Sequence, residues 1–149
     1  MLRPALLFLL LALVACWERA VPDGERIAPD LTRPRADPVV VAAPVRIGEA
    51  GPAFRACQAA GTPRAPGANV PVRAGPFDAA PTTGSIAPEA SFFVCTRSID
   101  QRWLGIVYDP GGALSPGCGV SVPVSRRAAY AGPCRSGWVA SAAVRLVAG

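Results

Sequence analysis

The chain contains no histidine and no lysine; all 15 of its basic residues are arginine. Those absences remove histidine general bases, histidine metal ligands, lysine Schiff bases and the phosphate-binding lysine of a P-loop. Serine and cysteine nucleophiles are left without an imidazole partner. The carboxylates stand in no recognisable pair of the kind that cleaves glycosides. The expectation is a protein that is not an enzyme and takes no cofactor. Long helices are disfavoured as well, because 15 glycines and 17 prolines are spread over 149 residues. Proline removes a backbone donor and glycine costs order. Beyond the N-terminal apolar run no segment keeps a 3.6-residue period, and no internal repeat is present. The 51% hydrophobic content overstates the core, since 28 of those residues are alanine. What remains is room for one modest, all-β domain.

The N-terminus reads as an export signal. Arg3 precedes ten uncharged apolar residues, Ala5 to Val14. That run is too short to span a bilayer, which takes about 20 residues, and suits a secretory segment. It ends in Leu13-Val14-Ala15-Cys16, which looks like a bacterial lipobox. An ordinary cleavage site wants small residues at −1 and −3, and Leu13 fits poorly at −3. Residues 1–15 are therefore expected to be a lipoprotein signal peptide and Cys16 the lipidated residue; the competing reading is a plain secretory peptide and a free cysteine. The cysteine count agrees with lipidation: five cysteines are present, and an odd one in an exported protein asks for an explanation. Trp17, rather than aspartate, follows Cys16, which by resemblance to Gram-negative lipoproteins points to the outer membrane, facing the periplasm.

Residues 16–50 read as the lipidated cysteine and a flexible linker. Five prolines fall in this stretch, arginines and acids alternate, and no aromatic follows Trp17. Such a segment buries too little surface to offset its ordering entropy. Its 34 residues after Cys16 would span roughly 30 Å as a coil. The alternative is that Val39-Val40-Val41 pairs with the domain as an edge strand.

Residues 51–149 have a different character, with cysteines, tryptophans and short β-prone runs between turn residues. Ser91 to Thr96 and Arg102 to Tyr108 are expected strands, joined by a short hairpin connection at Ser98 to Gln101. Asp109-Pro110-Gly111-Gly112 is a turn. Ser136 to Val139 and Val144 to Val147 read as closing strands. Several short strands at this spacing suggest a small barrel.

Four blocks in order carry a family resemblance. Val72-Arg73-Ala74-Gly75-Pro76, Thr83-Gly84-Ser85-Ile86, Trp103-Leu104-Gly105-Ile106-Val107-Tyr108 and Gly137-Trp138-Val139-Ala140-Ser141 together resemble bacterial SH3-like domains over about residues 68–147. Two departures stand out. Pro88-Glu89-Ala90 replaces a usual glycine turn, and Asp109 to Arg135 forms a long insertion before Gly-Trp. The resemblance implies a small SH3-like barrel with Trp103 and Trp138 in its core or at its rim. It also implies that Phe77 and Tyr108 line a groove for an extended peptide.

Cys57, Cys95, Cys118 and Cys134 allow three pairings. Cys118–Cys134 would staple the insertion, and Cys57–Cys95 would tie the segment before the barrel to its middle strand; this pairing is favoured. With no C-x-x-C spacing and no histidine, no metal site is expected. Nine arginines stand against four acids in residues 51–149. For an exported domain the anionic candidates are lipid headgroups, lipopolysaccharide, cell-wall carboxylates or an acidic protein, not nucleic acid. Arg126-Arg127 beside Tyr130 is the sharpest local patch; its bland reading is a solvated loop. The functional expectation is a membrane-anchored envelope lipoprotein that binds peptide or peptidoglycan. The alternative is an accessory or inhibitory subunit that binds another envelope protein and has no cell-wall ligand.

Overall fold

The computed structural model describes residues 42–147. The expected signal peptide, Cys16 and the Val39-Val40-Val41 alternative lie outside the described residues. Those described are all-β, with nine short strands: β1 Arg46–Ile47, β2 Ala59–Pro63, β3 Val70–Arg73, β4 Thr82–Ile86, β5 Phe92–Arg97, β6 Trp103–Tyr108, β7 Ala128–Ala129, β8 Arg135–Ala140 and β9 Val144–Val147. Helical geometry among them is limited to two 3-10 turns, Pro116–Cys118 and Ser141–Ala143.

The strands form two antiparallel sheets. β1 pairs with β7, and seven strands run in the order β4-β3-β8-β6-β5-β2-β9. β4 and β9 each have one partner, so the large sheet is not the closed barrel that the strand spacing suggests. Closure requires every strand to be paired on both sides. Here the β3–β8 joint is a single register pair, Arg73 with Trp138, and β3 carries Pro71, which has no N–H for a ladder. Side chains hold the two ends together instead. Ile86 of β4 and Val144 of β9 belong to one buried cluster with Val72, Phe92, Leu104, Ile106 and Val139.

β6 explains how the rest is organised. All six of its residues are buried. Leu104, Ile106 and Tyr108 join the cluster just described, while Trp103 and Val107 face a second one on the opposite side. An antiparallel sheet usually leaves one face to water. Here that face is covered by the insertion and by residues 42–57, which supply Val45, Ala56, Cys57, Cys118 and Val120. Trp103 and Trp138 are both buried in this second cluster. Gly105 is the third β6 residue on that side. A Cβ there would meet Thr96 Cγ2 at 2.5 Å, Val45 Cγ1 at 3.2 Å and the Trp138 ring at 3.4 Å. Glycine is required here chiefly because Thr96 leaves no room for a Cβ, and it also eases the close approach of Val45.

The linker expectation is therefore corrected at its C-terminal end. Ala43, Val45 and Ile47 turn inward and Pro44 and Arg46 outward, a strand alternation, and Val45 is 2% exposed. Composition failed because the segment needs little apolar surface of its own; its partners supply the rest. β2 was also illegible, since Ala-Ala-Gly-Thr-Pro has weak β-propensity. It is a strand because Gly61 admits the Phe92 ring and Val144, which would lie 2.8 and 2.9 Å from a Cβ. The hairpin and turn expectations agree with the structure. Ser98 N–H donates to the Trp103 carbonyl at 3.0 Å, and Gly112 N–H donates to the Asp109 carbonyl at 2.9 Å.

Candidate functional site

The Val72-to-Pro76 block brings β3 to a tight loop. The Phe77 ring folds back over Gly75, whose Cβ, if present, would lie 2.6 Å from Phe77 Cε1. Arg73 fastens the loop by donating to the Ala80 carbonyl at 2.8 Å, with its guanidinium 6.0 Å from the Trp103 ring centroid. Beside this loop, on β8, the Trp138 indole N–H donates to the Ala43 carbonyl at 2.6 Å. Ala43 N–H in turn donates to the Ala74 carbonyl at 3.0 Å. The N-terminal segment is thus laid down next to the loop by partners on two other elements.

These pieces, with the β5–β6 hairpin, enclose an open groove of about 900 Å³. Its apolar wall is Pro44, Pro76, Trp138 and the hairpin tip Ile99. Ile99 is fully exposed, at 103%. Arg46, Arg97 and Arg127 line the same groove with Glu49 and Asp100. Glu49 is shared: Arg46 Nε lies 3.4 Å from one oxygen and Arg127 Nη1 3.1 Å from the other. Arg97 makes no ion pair among the described residues. Asp100 is held within its turn: the Ser98 hydroxyl (2.5 Å) and the Arg102 backbone N–H (3.1 Å) both donate to Oδ1. Those donors hold its carboxyl below the usual range. The arrangement offers an extended ligand an apolar shelf with cations beside it.

The residues singled out from the sequence are not brought together. Tyr108 is 5% exposed and belongs to the inner cluster; it borders a separate 160 Å³ pocket with Asn69, Ser85 and Asp109. Its place in β6 turns its side chain to the core, so it does not line the groove. Phe77 is half-buried against Gly75 and stands next to the groove residue Pro76. Arg126 and Arg127 are exposed, and only Arg127 reaches the groove. Tyr130 is half-buried, donates from its hydroxyl to the Cys118 carbonyl at 3.0 Å and accepts from the Cys134 N–H at 3.1 Å. Those two bonds brace the stapled loop. Tyr130→Phe is expected to cost about 1–2 kcal/mol, because two part-buried backbone groups lose a partner, without changing ligand retention. Urea denaturation beside a binding assay checks both halves.

Both favoured disulfides are present, Cys57–Cys95 and Cys118–Cys134. Asp109 lies with Cys118 and Cys134, their potential ligand atoms within 4.8 Å of one another. The two sulfurs are bonded to each other and offer no thiolate to a metal. Sequence reasoning missed Pro44, Arg46 and Glu49, which it placed in the linker, and Ile99. A lone β-branched apolar residue inside a hairpin turn was the available signal for Ile99. No family model, curated protein or solved structure matches the chain.

Proposed function

We propose that this chain is a non-enzymatic, lipid-anchored envelope protein whose SH3-like module holds an extended peptide, or the peptide part of peptidoglycan. The groove carries the reading: an exposed apolar tip and two prolines beside Trp138, with Arg46, Arg97 and Arg127 along it, suit an extended ligand bearing carboxylates. The SH3-like assignment draws support from where the four sequence blocks fall, at the end of β3, on β4, on β6 and on β8, with the short Ser141–Ala143 turn following the last. Two disulfides favour an oxidising, exported compartment. The lipobox-like run Leu13 to Cys16 supports the anchor, and Trp17 after Cys16 supports an outer-membrane location facing the periplasm.

The test is sedimentation of the detergent-solubilised full chain with purified peptidoglycan across salt concentrations. Retention that survives high salt is expected, because the apolar wall is not screened. Ile99→Asp and Arg97→Ala are each expected to weaken retention about tenfold, the size of a lost apolar anchor or charge-assisted bond. Retention that vanishes at high salt would reduce the site to a cationic surface. No retention at any salt would overturn the cell-wall ligand and leave a protein partner.

A further inference from the structure

The layer that covers the outer face of the sheet has its own outside. It is held together by β1–β7, by Ala56 N–H to the Val122 carbonyl at 2.9 Å, by Cys57 N–H to the Val120 carbonyl at 3.0 Å, and by a bridge between Arg55 and Pro123. Phe54 and Val122 lie diagonally across that bridge, and they are 56% and 55% exposed. Neither is spare material for a core: the cluster beneath is filled by Val45, Ala56 and Val120, all buried. Arg55, in the bridge itself, and Arg126, four residues beyond Val122, are exposed, and neither makes an ion pair among the described residues. The acids of this layer are Glu49, already shared by Arg46 and Arg127, and Asp109, whose Oδ1 accepts from the Gly111 N–H at 2.7 Å. Arg55 and Arg126 are thus cations without an acid partner in a layer that also exposes Phe54 and Val122.

The chain also enters the fold through this layer. Ala43 is bonded to Ala74 and to Trp138, and Val45 accepts from the Tyr130 N–H. On the proposed reading, on which this inference rests, Cys16 sits in a bilayer. The 26 residues 16–41 then separate anchor and layer. Even fully extended, that stretch reaches at most about 90 Å, so it bounds how far the layer can stand from the membrane. We infer that the layer carrying Phe54, Val122, Arg55 and Arg126 docks on an anionic lipid surface, the headgroups of the bilayer that holds the anchor. An exposed aromatic ring with arginines around it suits the boundary between headgroup phosphates and acyl chains. Two features favour a bilayer over a protein: the expected anchor holds the layer close to one, and Arg55 and Arg126 have no acid partner among the described residues.

The test uses the full lipidated chain on vesicles of phosphatidylcholine alone and of phosphatidylcholine mixed equally with phosphatidylglycerol. Hydrogen exchange is followed in residues 51–56 and 120–127. Exchange is expected to slow about tenfold on the anionic vesicles only. The combined variant Phe54→Ser with Arg126→Ala should lose that difference while keeping the near-ultraviolet spectrum of the folded domain, since both side chains are exposed. Equal exchange on the two vesicles, with the chain still floating with lipid, overturns the docking and leaves the anchor intact. A chain that fails to float with either vesicle overturns the anchor and the docking with it. Slowing that appears equally in detergent as chain concentration rises assigns the surface to a second copy and also overturns it.

Discussion

A chain cut to begin at residue 51 is expected to lose most of its stability, although residues 42–50 look like linker. The cut removes Val45 from the cluster around Trp103 and Trp138, and takes Ala43 and Ile47 from its edge. It also removes β1 from β7 and the acceptor of the Trp138 indole. Burying one valine contributes about 1.5–3 kcal/mol, and the outer sides of two tryptophans become wet at the same time. A loss of about 4–6 kcal/mol is a large part of the 5–15 kcal/mol that holds a typical domain together. Urea denaturation of the two chains, followed by tryptophan fluorescence, measures it. The single change Val45→Ala should show about 2 kcal/mol of the same loss, because the site is capped by Gly105 and cannot collapse freely. Equal midpoints for the long and short chains would reduce the segment to a passive strap.

Breaking Cys57–Cys95 is expected to be the costliest covalent change, and costlier than breaking Cys118–Cys134. The first bridge closes a separation of 38 residues and the second one of 16. In the chain-entropy account those closures are worth about 4 and about 3 kcal/mol. The variants should be paired alanine changes, Cys57→Ala with Cys95→Ala and Cys118→Ala with Cys134→Ala. Three of these four positions are buried, so serine would add a hydroxyl with no partner there. Urea midpoints give the order. The reverse order would mean that loop entropy does not govern these bridges. The second bridge also has help that the first lacks, since the Tyr130 hydroxyl already ties Cys118 to Cys134.

The strands legible in the sequence are those whose residues carry their own reason to be strands. Phe92–Arg97 and Trp103–Tyr108 are rich in β-branched and aromatic residues, and the hairpin and the Asp109–Gly112 turn between such runs follow from turn chemistry. The preferred cysteine pairing was legible from position: one bridge staples the insertion, and the other ties the segment before the sheet to β5. β1 and β2 were not legible, because Ala, Gly, Pro and a single valine become strands only when a sheet face is offered to them.

The groove divides along the same line. Pro76 and Trp138 come from recognisable blocks, but Pro44, Arg46 and Glu49 arrive from a stretch whose composition reads as tether. The Trp138-to-Ala43 bond joins positions 95 residues apart, a distance no local pattern reports. Tyr108 and Tyr130 show the converse: both looked available to a ligand, and one is core while the other braces a loop.

By itself the sequence determined the all-β class, the arginine-only charge, the lack of any imidazole and the cysteines that bridge, because each follows from residue type and short-range chemistry. Only the tertiary structure decided that the sheet stays open, that its outer face is covered by residues 42–57 and the insertion, and which side chains that covering leaves exposed. Those outcomes depend on which distant surfaces bury one another, and burial is settled between segments rather than within them.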